Sequence, residues 1–190
     1  DAYDPEAAKA VSAALLDGQA VAVLSDLPLR GSLPKGLREG GEGPVGIYVG
    51  VDRRLRPFGT TLQALPRALV LGVGCRKGIA RQALEERIDA ALANLGSPRQ
   101  AVAAVHSLDR KAGEEALVAL CEDERWPLRT FSAETLAGLP GDFTPSPRVL
   151  EHVGVDNVCE RAAVAQGGRL LLRKQAQDGV TVAVALLPKT

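Results

Sequence analysis

A chain of 190 residues is long enough for one substantial core, or for one core with a smaller appended unit. Its 23 basic and 23 acidic side chains cancel, which removes any global field that would draw it to nucleic acid or to an anionic membrane. Aromatic residues make up 3% of the chain, too few to line a single strand with stacking platforms, and no apolar run approaches the roughly 18 residues of a membrane span.

Asp4 and Pro5 before the segment Glu6 to Leu16, with Gly18 beyond it, predict a short helix with an acidic cap, proline in its first turn and glycine after its end. Ala20 to Leu24 reads as a buried strand. Pro28 to Pro44 has the glycine, proline and charge of a loop. Val45 to Val51 reads as a second strand and Asp52 to Pro66 as a connection. So few apolar elements predict that this first third is an appendage without a core of its own.

From Ala68 the pattern alternates. Strand Ala68 to Val73 leads into helix Ile79 to Leu95, which Gly96 stops, and strand Ala101 to His106 leads into a helix near Ala112 to Cys121. A short strand follows at Leu128 to Phe131, then a helix capped by Ser132, a helix over Arg148 to Val153, and another over Asn157 to Gln166 capped by Asp156. Arg169 to Arg173 and Val180 to Leu186 are β-rich, and Lys174 to Gly179 between them is too short for a crossover, so these strands are antiparallel. The predicted fold is α/β: a three-layer α/β/α arrangement around a mostly parallel mixed sheet with a C-terminal antiparallel hairpin, plus the small N-terminal appendage.

Ligands of such sheets bind beyond the carboxyl ends of the strands. The first loop there carries Gly72, Gly74, Cys75, Arg76, Lys77 and Gly78 at a strand-to-helix junction, where glycines let the backbone turn and approach a ligand and free N–H groups favour an anion. The same stretch also reads as an ordinary βα loop with solvating cations. Its G-x-G-x-x-x-G spacing is not the dinucleotide fingerprint, and no Ser or Thr follows Lys77 as a phosphate loop requires. A helix start and two cations would lower the pKa of Cys75, yet no base is evident beside it. His106, closing the next strand, reads as a packing residue. The second loop places Asp109, Arg110, Lys111 and Glu114 directly after a buried strand, where a carboxylate beside a cation can act as general base or ligand clamp. Acids that suit a helix dipole and charges that face water are the other reading of those residues. Glu160 with Arg161 and Arg173 with Lys174 are equally ambiguous by themselves.

Cys75, Cys121 and Cys159 form no C-x-x-C pair and sit at no zinc-finger spacing from His106 or His152, which argues against a structural zinc site. Reduced thiols, no apolar leader and no membrane span predict a soluble, cytoplasmic protein. The chain begins at Asp1 and contains no methionine, so it reads as a fragment or a processed product.

Six segments occur in a telling order: GVGCRKG, LDRKAGEEAL, FSAETL, PSPRVLEHVGVDNVCERAAV, LLLRK and GVTVAVA. Together they resemble the C-terminal domain of the cobalt-precorrin 5A hydrolase family, CbiG, which has a single-domain relative in CobE. The resemblance spans about Leu65 to Leu186, and Glu6 to Leu65 is more loosely similar to the middle region of the same family. It therefore implies a partial middle or linker region over 1–66 and a CbiG/CobE-like C-terminal domain over 67–190, with the family's N-terminal domain outside this sequence.

What the resemblance implies is a role in cobalamin biosynthesis: opening of the δ-lactone of cobalt-precorrin 5A, with release of acetaldehyde, to give cobalt-precorrin 5B. The alternative is a non-catalytic module of CobE type that binds or carries a corrinoid intermediate. Lactone opening needs a base near the carbonyl, donors for its oxyanion, and cations for a macrocycle rimmed with acetates and propionates. On that footing Asp109 and Glu114 are the candidate bases. Gly74, Cys75, Arg76 and Lys77 would bind the oxyanion or a carboxylate, and Lys111, Ser146 and Lys174 would supply polar contacts. Glu160 stands in the family's V-x-E-A-A-like stretch, but Arg161 replaces a small residue there, which favours a surface acid. No cofactor and no protein-held metal are called for. The expected partner is a corrinoid substrate, with a second copy of the chain or the family's N-terminal domain as the protein partners left open.

Overall fold

The computed structural model of the protein describes residues 4–145 and 157–187. It divides into two compact units, Asp1–Pro66 and Arg67–Thr190.

In the first unit, α1 (Pro5–Leu16) starts where the Asp4 carboxylate accepts the Ala7 N–H at 3.0 Å. Four strands follow: β1 (Val21–Ser25), β2 (Leu37–Glu39), β3 (Val45–Val49) and β4 (Thr60–Ala64). They pair in parallel in the order β2-β1-β3-β4. Val11 and Ala14 of α1 pack with Val21, and Leu15, Leu37, Val45, Ile47 and Leu62 close around them. This corrects the sequence reading, which expected two strands and no independent core. Leu37–Glu39 and Thr60–Ala64 carry no apolar run, and they become strands because β1 and β3 offer ladders to pair with.

The second unit is the predicted α/β domain. Its strands are β5 (Leu69–Cys75), β6 (Val102–Leu108), β7 (Leu128–Phe131), β8 (Arg169–Gln177) and β9 (Val180–Leu186), in one sheet of order β7-β6-β5-β9-β8. β7, β6 and β5 are parallel, and β9 and β8 continue the sheet antiparallel. Its helices are α2 (Arg81–Asn94), α3 (Glu115–Asp123), α4 (Ala133–Ala137) and α5 (Val158–Val164). The helix expected over Arg148 to Val153 lies outside the described residues.

Strand alternation decides what each face can carry. On β9, Ala183 and Ala185 pack against Cys159 and Ala163 of α5, while Val182 and Val184 point to the opposite face, where α2 lies. α5 sits very close to β5. A Cβ on Gly72 would stand 1.9 Å from the Cys159 carbonyl oxygen and 2.7 Å from the Ala163 nitrogen. Gly72 thus serves helix packing, where the sequence reading gave it to ligand approach.

Three boundaries also shift. α2 begins two residues later than expected, because Gly78 turns through φ +66° and Ile79 is buried ahead of the helix. Asp109–Lys111 forms a 3-10 turn, which delays α3 to Glu115. β8 runs on to Gln177 and its hairpin turn is only Asp178 and Gly179, both at positive φ, as a two-residue turn requires. Lys174 is therefore a strand residue and not part of the hairpin loop.

Candidate functional site

A cleft of about 480 Å³ opens at the carboxyl ends of β5 and β6. Its walls come from the end of β5 (Gly74, Cys75), the end of β6 and the turn after it (Ser107, Leu108, Lys111), and the start of α5 (Asn157 to Cys159). β8 and β9 supply the remainder: Lys174, then Ala176 through the hairpin turn to Thr181. That is the position where an α/β sheet exposes strand ends to a ligand.

Local pairing explains how each wall is held. The Arg76 N–H donates to the Gly179 carbonyl at 3.0 Å, clipping the glycine loop to the hairpin turn. The buried Ser107 hydroxyl donates to the Val73 carbonyl at 2.7 Å, tying β6 to β5 beneath the cleft. Asn157, at φ +47°, caps α5 by accepting the Glu160 N–H, and its amide donates to the Thr144 carbonyl at 2.8 Å. Asn157 takes the capping position that the sequence reading assigned to Asp156.

Four of the predicted site residues come together here: Gly74, Cys75, Lys111 and Lys174. Among the described residues, neither lysine has a carboxylate within ion-pair distance. Arg76 and Lys77 are exposed and are not among the lining residues, and the Arg76 stem packs over Gly179. Asp109 is exposed on its 3-10 turn and accepts the Arg110 N–H at 2.7 Å. Glu114 accepts the Gly78 N–H at 2.9 Å, so one donor of the glycine loop is occupied by the protein's own carboxylate. Ser146 lies outside the described residues.

The surroundings of Cys75 do not activate its thiol. Burial pushes the Cys75 thiol up, Glu114 adds to that rise, and the opposing Lys111 charge does not reverse it. The sequence reading expected the opposite sign, but Arg76 and Lys77 point into water and not at the sulfur. Cys159, at the back of the cleft, is pushed up to about 12, chiefly by burial. His106 is a core residue: fully buried, Nδ1 2.8 Å from the Ala162 carbonyl, ring edge against Phe131, its pKa lowered by desolvation. Among the described residues no cluster of three or more His, Cys, Asp or Glu side chains is arranged to hold a metal ion.

The residue that sequence reasoning misplaced is Glu160. It is not a surface acid. It is 0% exposed, and among the described residues it accepts hydrogen bonds from Thr144 N at 2.9 Å, Thr144 Oγ1 at 2.8 Å and Lys174 N at 2.7 Å. Burial alone would raise its pKa, and these donors outweigh burial and hold the carboxyl below its ordinary range. The Asn157-x-x-Glu160 spacing was the available signal, since it resembles a helix-capping pair.

A family model described as Cobalamin synthesis G C-terminus matches residues 69–185. The chain belongs to that family. Curated relatives include a cobalt-precorrin-5A hydrolase of Priestia megaterium, 30% identical over 65% of this chain and 33% of its own length. Protein CobE of a Sinorhizobium species is 31% identical over 62% of this chain and 79% of its own length. The chain thus spans about a third of the hydrolase relative. Among solved structures, CobE superposes with TM-score 0.59 at 28% identity, covering 65% of this chain and 92% of CobE. A cobalamin biosynthesis protein G homologue from Sulfolobus solfataricus shares the fold, with TM-score 0.56 at 18% identity over 97% of this chain and 56% of its own. No helix among the described residues is long and apolar enough to cross a membrane.

Proposed function

We propose that residues 67–190 bind a corrinoid intermediate of cobalamin biosynthesis in the cleft between Cys75, Lys111 and Lys174, as the corrinoid-binding part of cobalt-precorrin 5A hydrolysis. The observation that carries this reading is two lysines without carboxylate partners among the described residues, lining one cleft whose other walls are largely apolar. An apolar ring with a rim of acetates and propionates meets both needs: its face lies on Leu108, Val158 and Val180 while its carboxylates meet ammonium groups. The cleft's size, within the roughly 300–1,000 Å³ of drug-sized ligands, suits one edge of such a macrocycle.

The reaction adds water to the lactone carbonyl, freeing a ring carboxylate and an alcohol; the alcohol then loses its O–H proton as the bond from the former meso carbon to the ring breaks, the electron pair stays with the ring, and that carbon leaves with its methyl group as acetaldehyde. Asp109 is the candidate base. It sits on the turn that carries Lys111 to the cleft, while the Glu114 carboxylate is already engaged by Gly78. Lys111 and Lys174 would hold substrate carboxylates and the developing negative charge.

A second reading has its own support. The second unit matches most of CobE but only a third of the hydrolase, which favours a corrinoid-binding module that does no chemistry alone. One experiment separates the readings. Titrating the chain with cobyrinic acid, a corrinoid with free carboxylates, should show binding that Lys111→Ala with Lys174→Ala weakens by about tenfold or more and makes less sensitive to salt. Unchanged affinity in the double variant would place the ligand elsewhere. Cobalt-precorrin 5A is then supplied and acetaldehyde read by coupled reduction. Release that falls about a hundredfold in Asp109→Asn supports hydrolysis here, and binding without release supports the carrier.

A further inference from the structure

Lys174 reaches the cleft by an irregularity in its strand. Residues two apart on a regular strand share a face. Leu172 pairs with Val184, on the face toward α2, yet Lys174 lines the cleft on the other side. The register shifts between Leu172 and Gln175, where three steps on β8 oppose two on β9. This bulge inverts the alternation: Lys174 and Ala176 turn to the cleft, while Gln175 between them turns to α2 and accepts a hydrogen bond from Arg87; Gln177, beside the hairpin turn, borders the cleft and also accepts from Arg87.

A bulge leaves backbone groups outside the ladder, and a buried N–H without a partner is costly to leave unpaired. Lys174 has no partner residue in the β8–β9 register. Its N–H is taken instead by the buried Glu160 carboxylate at 2.7 Å. The same carboxylate holds Thr144 by two bonds, and Arg173, the other bulge residue, stands with Nη1 3.8 Å from it and Nη2 3.1 Å from Asp142. Stability alone is a poor account of a buried charge, because desolvation offsets most of what its partners return.

We infer that Glu160 is a positioning residue of the cleft: it fixes the β8 bulge by accepting the Lys174 N–H and so aims the Lys174 side chain at a carboxylate of the bound corrinoid. The inference rests on the corrinoid reading of the cleft. Glu160 touches no substrate itself and acts through Lys174.

The test is a double-mutant cycle on the full chain, read by cobyrinic acid titration, with amide hydrogen exchange at Lys174 as a ligand-free readout. Glu160→Gln keeps the shape but turns a donor toward Thr144 N or Lys174 N. Lys174→Ala should weaken binding about five- to tenfold and Glu160→Gln by a similar factor, while the double variant should fall within about twofold of the weaker single. Exchange at Lys174 should rise at least tenfold in Glu160→Gln, relative to Gln177 on the same strand. Multiplying losses, or a Glu160→Gln affinity within twofold of wild type, would show a residue that only stabilises the fold and would overturn the inference. Absence of binding by the wild-type chain would instead overturn the corrinoid reading, and unchanged Lys174 exchange would then dismiss the role of Glu160 as well. Thr144→Val removes one donor without adding another. It is the milder variant if Glu160→Gln does not fold, with the same non-additivity expected.

Discussion

Gly72→Ala separates two accounts of the glycine-rich strand end. If Gly72 admits a ligand, a methyl group there weakens binding and leaves the fold intact. The structure assigns the space to α5 instead: the new Cβ would lie 1.9 Å from the Cys159 carbonyl oxygen, 2.7 Å from the Ala163 nitrogen and 2.9 Å from the Ala163 Cβ. Ordinary contact begins near 3.4 Å, so α5 would have to move by more than 1 Å as a body, since two of the three atoms are backbone. That movement strains the Glu160 bonds to Thr144 and Lys174 and the His106 contact with the Ala162 carbonyl. Overpacking of a core costs typically 1–3 kcal/mol, and a clash this deep against backbone belongs at or above about 3 kcal/mol. For a domain of this size that is roughly a 10 °C loss in Tm. Trp126, the only tryptophan, is buried in the second unit, so its fluorescence during heating reports that unit alone. Gly113→Ala is the control, with open space around its Cβ and no positive φ, and should leave Tm within about 2 °C. Gly72→Ala behaving like Gly113→Ala, with lost corrinoid affinity, would refute the packing account and return Gly72 to the ligand.

Two further outcomes are expected. Burial lowers the His106 pKa below its unfolded value, so the unfolded chain binds the extra proton first; stability of the second unit is complete above about pH 6.5 and declines as pH falls below it. His106→Gln should flatten urea-melt stability across that window, which lies above the range where Glu160 titrates, and a persisting slope would assign the loss to another group. A chain beginning at Arg67 should keep one cooperative Trp126 transition, because its sheet and helices form a core by themselves and Arg67 donates to the Val102 and Arg125 carbonyls. Gradual, non-cooperative melting of that chain would show that residues 4–66 complete the core.

What was legible in the sequence followed from how local each signal is. β5 and β9 announce themselves because both are buried along nearly their whole length, so their apolar runs are continuous. Cys75 and Lys111, at and just beyond the ends of β5 and β6, line the cleft, and their position could be read for the same reason: a strand that can be read also locates the residues beyond it. β2 and β4 could not be read, since three and five residues of mixed polarity become strands only when a neighbouring ladder exists.

Glu160 failed for a deeper reason. Read along the chain it is an acid beside an arginine on a short helix, and the one local signal, its spacing from Asn157, fits an exposed helix start as well as a buried one. Its donors come from Thr144, sixteen residues before it, and Lys174, fourteen after, and the second is available only because β8 bulges. The bulge itself has no glycine or proline to announce it and arises from register: the Asp178-Gly179 turn sets the pairing of Gln175 to Gln177, and Leu172 opposite Val184 sets it on the other side, beyond which the register shifts again before Leu170. Sequence shows which groups can donate and accept. Which acceptor meets which donor is settled by sheet register and by the glycine that lets α5 approach β5, so the residue that aims a cleft lysine becomes visible only once three non-adjacent segments are in place.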